Sequence, residues 1–144
     1  MNILVLNGPN LATLGRREVE IYGKETLADI EKAMMHRAGE LQSKLRFFQS
    51  NHEGALIDEI ESRASETDAI IINPGGLSHT SYPLYDALRA FAKPVLEVHI
   101  SNIFAREEFR HRSVTGAAAV GVITGLGTSS YLLALEFLTR ERGR

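Results

Sequence analysis

Five short apolar runs, each with β-branched or aromatic content, punctuate the chain: NILVLN (2–7), KLRFFQ (44–49), DAIIIN (68–73), PVLEVHI (94–100) and AAVGVIT (118–124). Runs of this length and composition read as strands. Between them, apolar residues recur every three or four positions. Thr26–Gln42 carries them at 27, 30, 34, 38 and 41, Glu53–Ala64 at 56, 57, 60 and 64, and Ser81–Ala92 at 84, 87, 88 and 91. Thr128–Arg142 sets Leu132, Leu133, Leu135, Phe137 and Leu138 in a similar rhythm. That spacing predicts amphipathic helices. The order is βαβαβαβ, then a loop, then βα.

Nearly continuous apolar strands alternating with helices predict a parallel sheet covered on both faces. The expected architecture is one α/β domain over residues 1–144, a flavodoxin-like, doubly wound, five-stranded parallel sheet of strand order 2-1-3-4-5. Open sheets of this kind bind ligands beyond the carboxyl ends of the strands, where the strand order reverses. Here that point falls between strands 1 and 3. Three segments are expected to meet there: the long stretch after strand 1, NPGGLSHTS after strand 3, and HISNIFAREEFRHR after strand 4.

Composition narrows the chemistry. Net charge is −2, which leaves no basic footprint for nucleic acid and no polybasic membrane patch. Cysteine is absent, so disulfides, thiol nucleophiles and thiolate metal sites are excluded together. The histidines at 36, 52, 79, 99 and 111 show neither HxH nor HExxH spacing, so no metal is expected. No run approaches the roughly 18 apolar residues of a membrane span. No signal peptide is evident, and a cytoplasmic location is the expectation.

Each segment carries polar residues with more than one reading. Asn73 ends a strand, and Pro74-Gly75-Gly76 makes a turn whose backbone can approach a ligand closely. It reads as a tight strand-to-helix turn, as a carboxylate site, or as a nucleophile elbow at Ser78, since GLSHT approaches G-x-S-x-G. Ser78, Asp86 and His99 occur in the order of one hydrolase triad, although Thr80 replaces the second glycine. In EVHISN, alternation sets Glu97, His99 and Ser101 on one face and Val98 and Ile100 on the other. A histidine at the carboxyl end of a parallel strand suits proton transfer near neutral pH, and Glu97 is placed to orient it. In AREEFRHR, a helix would put Arg106 and Arg110 on one face, with Glu107, Glu108 and Arg112 solvated. GLGTSS approaches a dinucleotide fingerprint, but Ser130 replaces its third glycine, and the match is discounted.

The stretch NGPNLATLGRREVEIYG, Asn7 to Gly23, is longer than an ordinary connection. Glycines at 8, 15 and 23 are suited to act as hinges, and Arg16 and Arg17 bring two cations near Tyr22. A free tyrosine, with a pKa of about 10, is a poor base at pH 7. A cation about 4 Å away, at an effective dielectric of ~20, favours tyrosinate by up to ~4 kcal/mol; desolvation opposes it. The stretch therefore reads as an active-site lid over about 8–24, carrying a base and its activating cation.

LNGPNLATLGRREVEIYG, QSNHEGALID, INPGGLSHTS, LEVHIS and SNIFAREEFRHRS together closely resemble the type II 3-dehydroquinate dehydratases, over essentially the whole chain. The resemblance implies conversion of 3-dehydroquinate to 3-dehydroshikimate and water in the shikimate pathway, without a cofactor. It implies Tyr22 as the base toward C2, Arg17 as its cation, and Asn10 as holder of a water on the enolate. It implies His99 as the acid toward the C1 hydroxyl, with Glu97 orienting it. Asn73, His79, Asp86, Ile100, Ser101 and Arg110 are implied to bind substrate, and the assembly to be a dodecamer of trimers. Ala12 and Phe104 depart from the family pattern, in positions bearing on lid contacts rather than reaction type. The competing readings are a flavodoxin-like nucleotide- or flavin-binding module and a serine hydrolase using Ser78.

Overall fold

The structure, a computed structural model, describes residues 1–141. Ile3, Leu4, Val5 and Leu6 have apolar side chains on both faces of one strand, so that strand is driven to the middle of the sheet. They form β1 (Asn2–Asn7), with all four buried. On either side lie β2 (Lys44–Gln49) and β3 (Ala69–Asn73), followed outward by β4 (Val95–His99) and β5 (Gly121–Thr124). All pairings are parallel and the order is 2-1-3-4-5, as the sequence pattern predicts.

Side-chain alternation splits the core in two. Ile3, Val5, Ile71, Leu96 and Val98 face α2 (Leu27–Glu40) and α5 (Ser129–Glu141). Leu4, Leu6, Ile70, Ile72 and Val95 face α3 (Glu53–Arg63) and α4 (Tyr82–Phe91). The helices start where their capping residues stand. Thr26 accepts from the Asp29 amide while Asp29 accepts from that of Thr26, a reciprocal box at the head of α2. Ser81 caps α4 through the Leu84 amide at 3.0 Å. Arg142, within the expected last helix, lies outside the described residues.

Three expectations need correction. The last strand begins at Gly121 rather than 118, because Thr115–Ala118 winds into a 3-10 turn. The stretch after β1 is not irregular throughout: it holds a 3-10 turn at Leu11–Thr13 and a four-residue helix, α1 (Val19–Tyr22). AREEFRHR is not one helix. Two 3-10 turns, Ile103–Ala105 and Glu108–Arg110, flank an extended Arg106. Asn102 caps the first through the Phe104 amide, and the Arg110 amide closes the second on the Glu107 carbonyl.

At the strand-order reversal, Asn7 and Asn73 are register partners at the ends of β1 and β3. Both side chains point to the α5 face and are buried. Tyr131 of α5 answers them: its hydroxyl donates to Asn7 Oδ1 at 2.6 Å and accepts from Asn73 Nδ2 at 3.0 Å. Beyond them the chain backbones nearly touch. The Gly8 amide bonds the Asn73 carbonyl at 2.8 Å, and a Cβ on Gly8 would lie 2.4 Å from the Pro74 carbonyl oxygen. Only glycine permits that approach.

Burial holds the Tyr131 phenol well above its ordinary range, only partly offset by the Asn73 hydrogen bond, so it remains a neutral donor. Tyr131→Phe should cost about 1–3 kcal/mol, since two buried amides lose a partner. A phenol raised in the folded state contributes stability below its unfolded pKa of about 10 and loses it as pH rises past that value. Urea titrations should therefore show the wild type losing more stability above pH 10 than Tyr131→Phe. Equal losses would remove Tyr131 from this role.

Candidate active site

A cleft of about 130 Å³ opens at the reversal point, bounded by the stretch after β1, the turn after β3 and the segment after β4. That is below the ~300–1,000 Å³ of drug-sized pockets and suits a small single-ring ligand. Its lining includes Arg17, Arg106 and Arg110 with His79 and His99, and no acidic side chain. A cleft so lined favours an anion, because guanidinium presents forked donors that match a carboxylate.

One wall carries Tyr22, at the end of α1. Its hydroxyl accepts a hydrogen bond from Arg106 Nη1 at 2.7 Å, and Arg106 also reaches Ser101 Oγ at 3.3 Å. The Arg17 guanidinium lies over the Tyr22 ring, 4.9 Å from its centroid, and pairs with Glu18 at 3.0 Å. The resemblance implies Arg17 as the one cation serving Tyr22. The structure places two there, and the one at the oxygen is Arg106. Its spacing from Arg110 hinted at a shared face, but only the fold brings residue 106 back to residue 22. Arg16 is exposed and lies outside the cleft lining. Glu18 and Asn10 both adopt left-handed backbone, at φ 36° and 72°. For asparagine this is common; for glutamate it is strained. The Asn10 amide is anchored to Asn51 Oδ1 at 3.0 Å, which holds the start of the stretch at the cleft rim.

Another wall carries His99, the last residue of β4. Its Nε2 lies 2.9 Å from Glu97 Oε2, and Glu97 is wholly buried behind it. The other ring nitrogen is left for the cleft. His79 stacks near His99, centroids 6.5 Å apart, and its Nδ1 donates to the Arg112 carbonyl at 2.7 Å. In the neutral imidazole that bond leaves His79 Nε2 as an acceptor. Asn73, Ile100, Ser101 and Arg110 also line the cleft. Arg110 pairs with Glu107 at 2.6 Å, and Glu107 is exposed, as expected of a solvated charge.

Asp86 departs from its expected place. It is exposed on α4 and does not line this chain's cleft. The hydrolase triad does not assemble either. Ser78 is fully buried in the 3-10 turn Gly75–His79, its hydroxyl against His79 rather than His99. Among the described residues, no group of three or more His, Asp or Glu is arranged to hold a metal ion.

A doubly wound α/β domain with a phenol, a carboxylate-backed imidazole and three guanidiniums around one small cleft defines an enzyme acting on a small anionic molecule. The family model for class II dehydroquinases matches residues 1–139. The 3-dehydroquinate dehydratase of Janthinobacterium sp. (strain Marseille) is 56% identical over 141 residues, 97% of each chain. That of Bacillus subtilis (strain 168) is 49% identical over 142 residues, 99% of this chain and 96% of its own. The crystal structure of type II dehydroquinase from Butyrivibrio crossotus superposes with a TM-score of 0.94 at 44% identity, covering 96% of this chain and 97% of that one. The chain belongs to the class II dehydroquinase family.

The two guanidiniums at Tyr22 make different contacts, so their removal should be separable. With 3-dehydroquinate as test substrate, Arg106→Ala should lower kcat/KM by about 10²-fold, the loss expected for one charge-stabilising donor. The loss should fall mainly on kcat, because the Tyr22 oxygen then lacks its hydrogen-bond donor. Arg17→Ala should also be impaired, and Arg16→Ala close to wild type. A wild-type rate for Arg106→Ala would assign the Tyr22 oxygen no partner of consequence.

Proposed function

We propose that this protein is a type II 3-dehydroquinate dehydratase, converting 3-dehydroquinate to 3-dehydroshikimate and water by anti elimination through an enolate, in the shikimate pathway of aromatic amino-acid biosynthesis. The observation that carries the proposal is the cleft itself: a phenol held by arginine on one wall and a carboxylate-backed imidazole on another, in a chain matched by the family model over 1–139.

In this reading, Tyr22 as tyrosinate takes a proton from C2, next to the C3 carbonyl. Arg106 and Arg17 favour the ionised phenol and the transition state that follows. The electron pair moves onto the carbonyl oxygen, and a water held by Asn10 meets the enolate charge. The enolate then collapses, a C1–C2 double bond forms, and the C1 hydroxyl leaves with a proton from His99 as water. Each group thus meets charge that develops only as the reaction proceeds, which is where binding energy accelerates a step. Arg110, His79, Asn73, the Ile100 and Ser101 amides and the Ser101 hydroxyl hold the substrate's carboxylate and hydroxyls.

The assembly belongs to the same proposal: a dodecamer built from trimers, in the cytoplasm. Val122 on the edge strand β5 is 43% exposed, and Leu133 and Phe137 on α5 are 45% and 46% exposed, apolar surface that a partner copy would cover. A contact between Asp86 and substrate requires such a copy, because Asp86 lies outside its own chain's cleft. Sedimentation should give the mass of a dodecamer; a monomer would remove both the assembly and the Asp86 contact.

The activity is read directly from ultraviolet absorbance, because the product contains a conjugated enone and the substrate does not. Tyr22→Phe should nearly abolish turnover while product-analogue binding persists. His99→Ala should lower kcat by about 10²–10⁴-fold, the usual span for one general acid, while exchange of the C2 proton with solvent continues. Normal turnover by Tyr22→Phe would place the base elsewhere, and no enone signal from the wild type would overturn the proposed reaction.

A further inference from the structure

The acid wall is built in layers. His99 meets the cleft, Glu97 lies behind it, and a third layer lies behind Glu97. A wholly buried carboxylate requires hydrogen-bond donors at both oxygens. Besides His99 Nε2, the donors are Ser113 Oγ, 2.6 Å from Oε2, and Thr115 Oγ1 on Oε1. Among the described residues no arginine or lysine pairs with Glu97, so two neutral hydroxyls hold its charge in place.

The local geometry fixes the direction of these bonds. Ser113 Oγ accepts the Gly116 amide at 2.9 Å, which leaves its own proton for Glu97. Thr115 is fully buried, and its hydroxyl contacts only Glu97 and, at 3.4 Å, Ser113 among the described residues. The fourth residue of this SVTG run makes room for the rest. A Cβ on Gly116 would lie 3.0 Å from Ser113 Oγ and 3.2 Å from Glu97 Oε2. The run packs on β4 and α4 through the 3-10 turn Thr115–Ala118, so it is positioned by the core rather than by the lid.

We propose that Ser113 and Thr115 are positioning residues for the acid step. Neither lines the cleft. They fix the Glu97 carboxylate so that it keeps the Nε2 proton of His99, leaving the other ring nitrogen to deliver the proton that departs. In the step itself, doubly protonated His99 gives that cleft-side proton to the C1 oxygen as the C1–O bond breaks. The oxygen leaves as water with the bonding pair, the enolate electrons form the C1–C2 double bond as the C3 carbonyl is restored, and His99 is left neutral with its Nε2–H still on Glu97. Removing a hydroxyl leaves a buried carboxylate oxygen unanswered. The carboxylate then turns or takes up a proton, and its hold on the imidazole changes.

This inference rests on the dehydration reading with His99 as the acid. Its test is the partition of the enolate, forward to enone or back to substrate with solvent deuterium at C2, measured together in deuterated buffer. The ratio does not depend on the fraction of correctly folded enzyme. A merely structural role would lower both fluxes in parallel. Thr115→Val and Ser113→Ala should each shift the ratio toward exchange by about tenfold, in the range seen when groups supporting a functional histidine are removed, with KM little changed. Thr115→Ser, which restores the hydroxyl, should return the wild-type ratio. An unchanged ratio in both Thr115→Val and Ser113→Ala would overturn the proposal. Glu97→Gln separates it from the reading beneath: a wild-type ratio there would overturn the acid assignment itself.

Discussion

Asn7 and Asn73 stand side by side at the carboxyl ends of two parallel strands, and one buried phenol bonds both. The site depends on that join. A parallel strand ends with unpaired backbone and must hand the chain to a loop. At the order reversal the two loops depart in different directions, which opens a crevice between them. Tyr131 ties the strand ends from α5, and Gly8 lets the first loop lean on Pro74. Asn73 Oδ1 also accepts the Gly75 amide at 3.1 Å, so the same side chain shapes the turn that follows. The cleft floor is therefore part of the core, with the rigidity of close packing.

Around that floor, the proposed base and the proposed acid come from different kinds of support. Tyr22 rides on a four-residue helix within a long excursion and is held by cations from the excursion and from the segment after β4. His99 ends a core strand and is backed by Glu97 and the hydroxyls of Ser113 and Thr115. A base that works as an anion gains from nearby guanidiniums. An acid must keep its proton until the leaving group needs it, and behind the proposed acid stands a buried carboxylate whose partners among the described residues are neutral hydroxyls and the imidazole. The division keeps the arginines on the cleft side and the carboxylate out of contact with substrate, so that the lining is wholly cationic or neutral and admits a carboxylic acid.

Much of this was legible in the chain itself. Nearly continuous apolar runs alternating with segments of period near 3.6 predicted a doubly wound parallel sheet of this strand order and hence the place of the cleft. The contact of Arg17 with Tyr22, and that of Glu97 with His99 two residues on, is local and follows from short spacing along the chain. Arg106 as the partner of the Tyr22 oxygen was not legible, because 84 residues separate them. Nor was its extended backbone: the charge pattern of AREEFRHR fits a helix, but Asn102 and Glu107 each close a separate tight turn instead. Nor were Ser113 and Thr115 legible as partners of Glu97, which lies 16 and 18 residues earlier. The near-match to a nucleophile elbow misled for a related reason, since spacing in sequence cannot reveal that Ser78 is sealed in the core.

The sequence by itself determined the layers, the strand order, the family and the residues that share an element with their partner, because each follows from short-range periodicity or contiguous motifs. The tertiary structure alone decided which cation meets the phenol oxygen, which hydroxyls hold the buried carboxylate, and that Asp86 stays outside its own chain's cleft. Those facts are set by where loops from different strands come to rest. That depends on packing over the whole sheet, and no local run of residues encodes it.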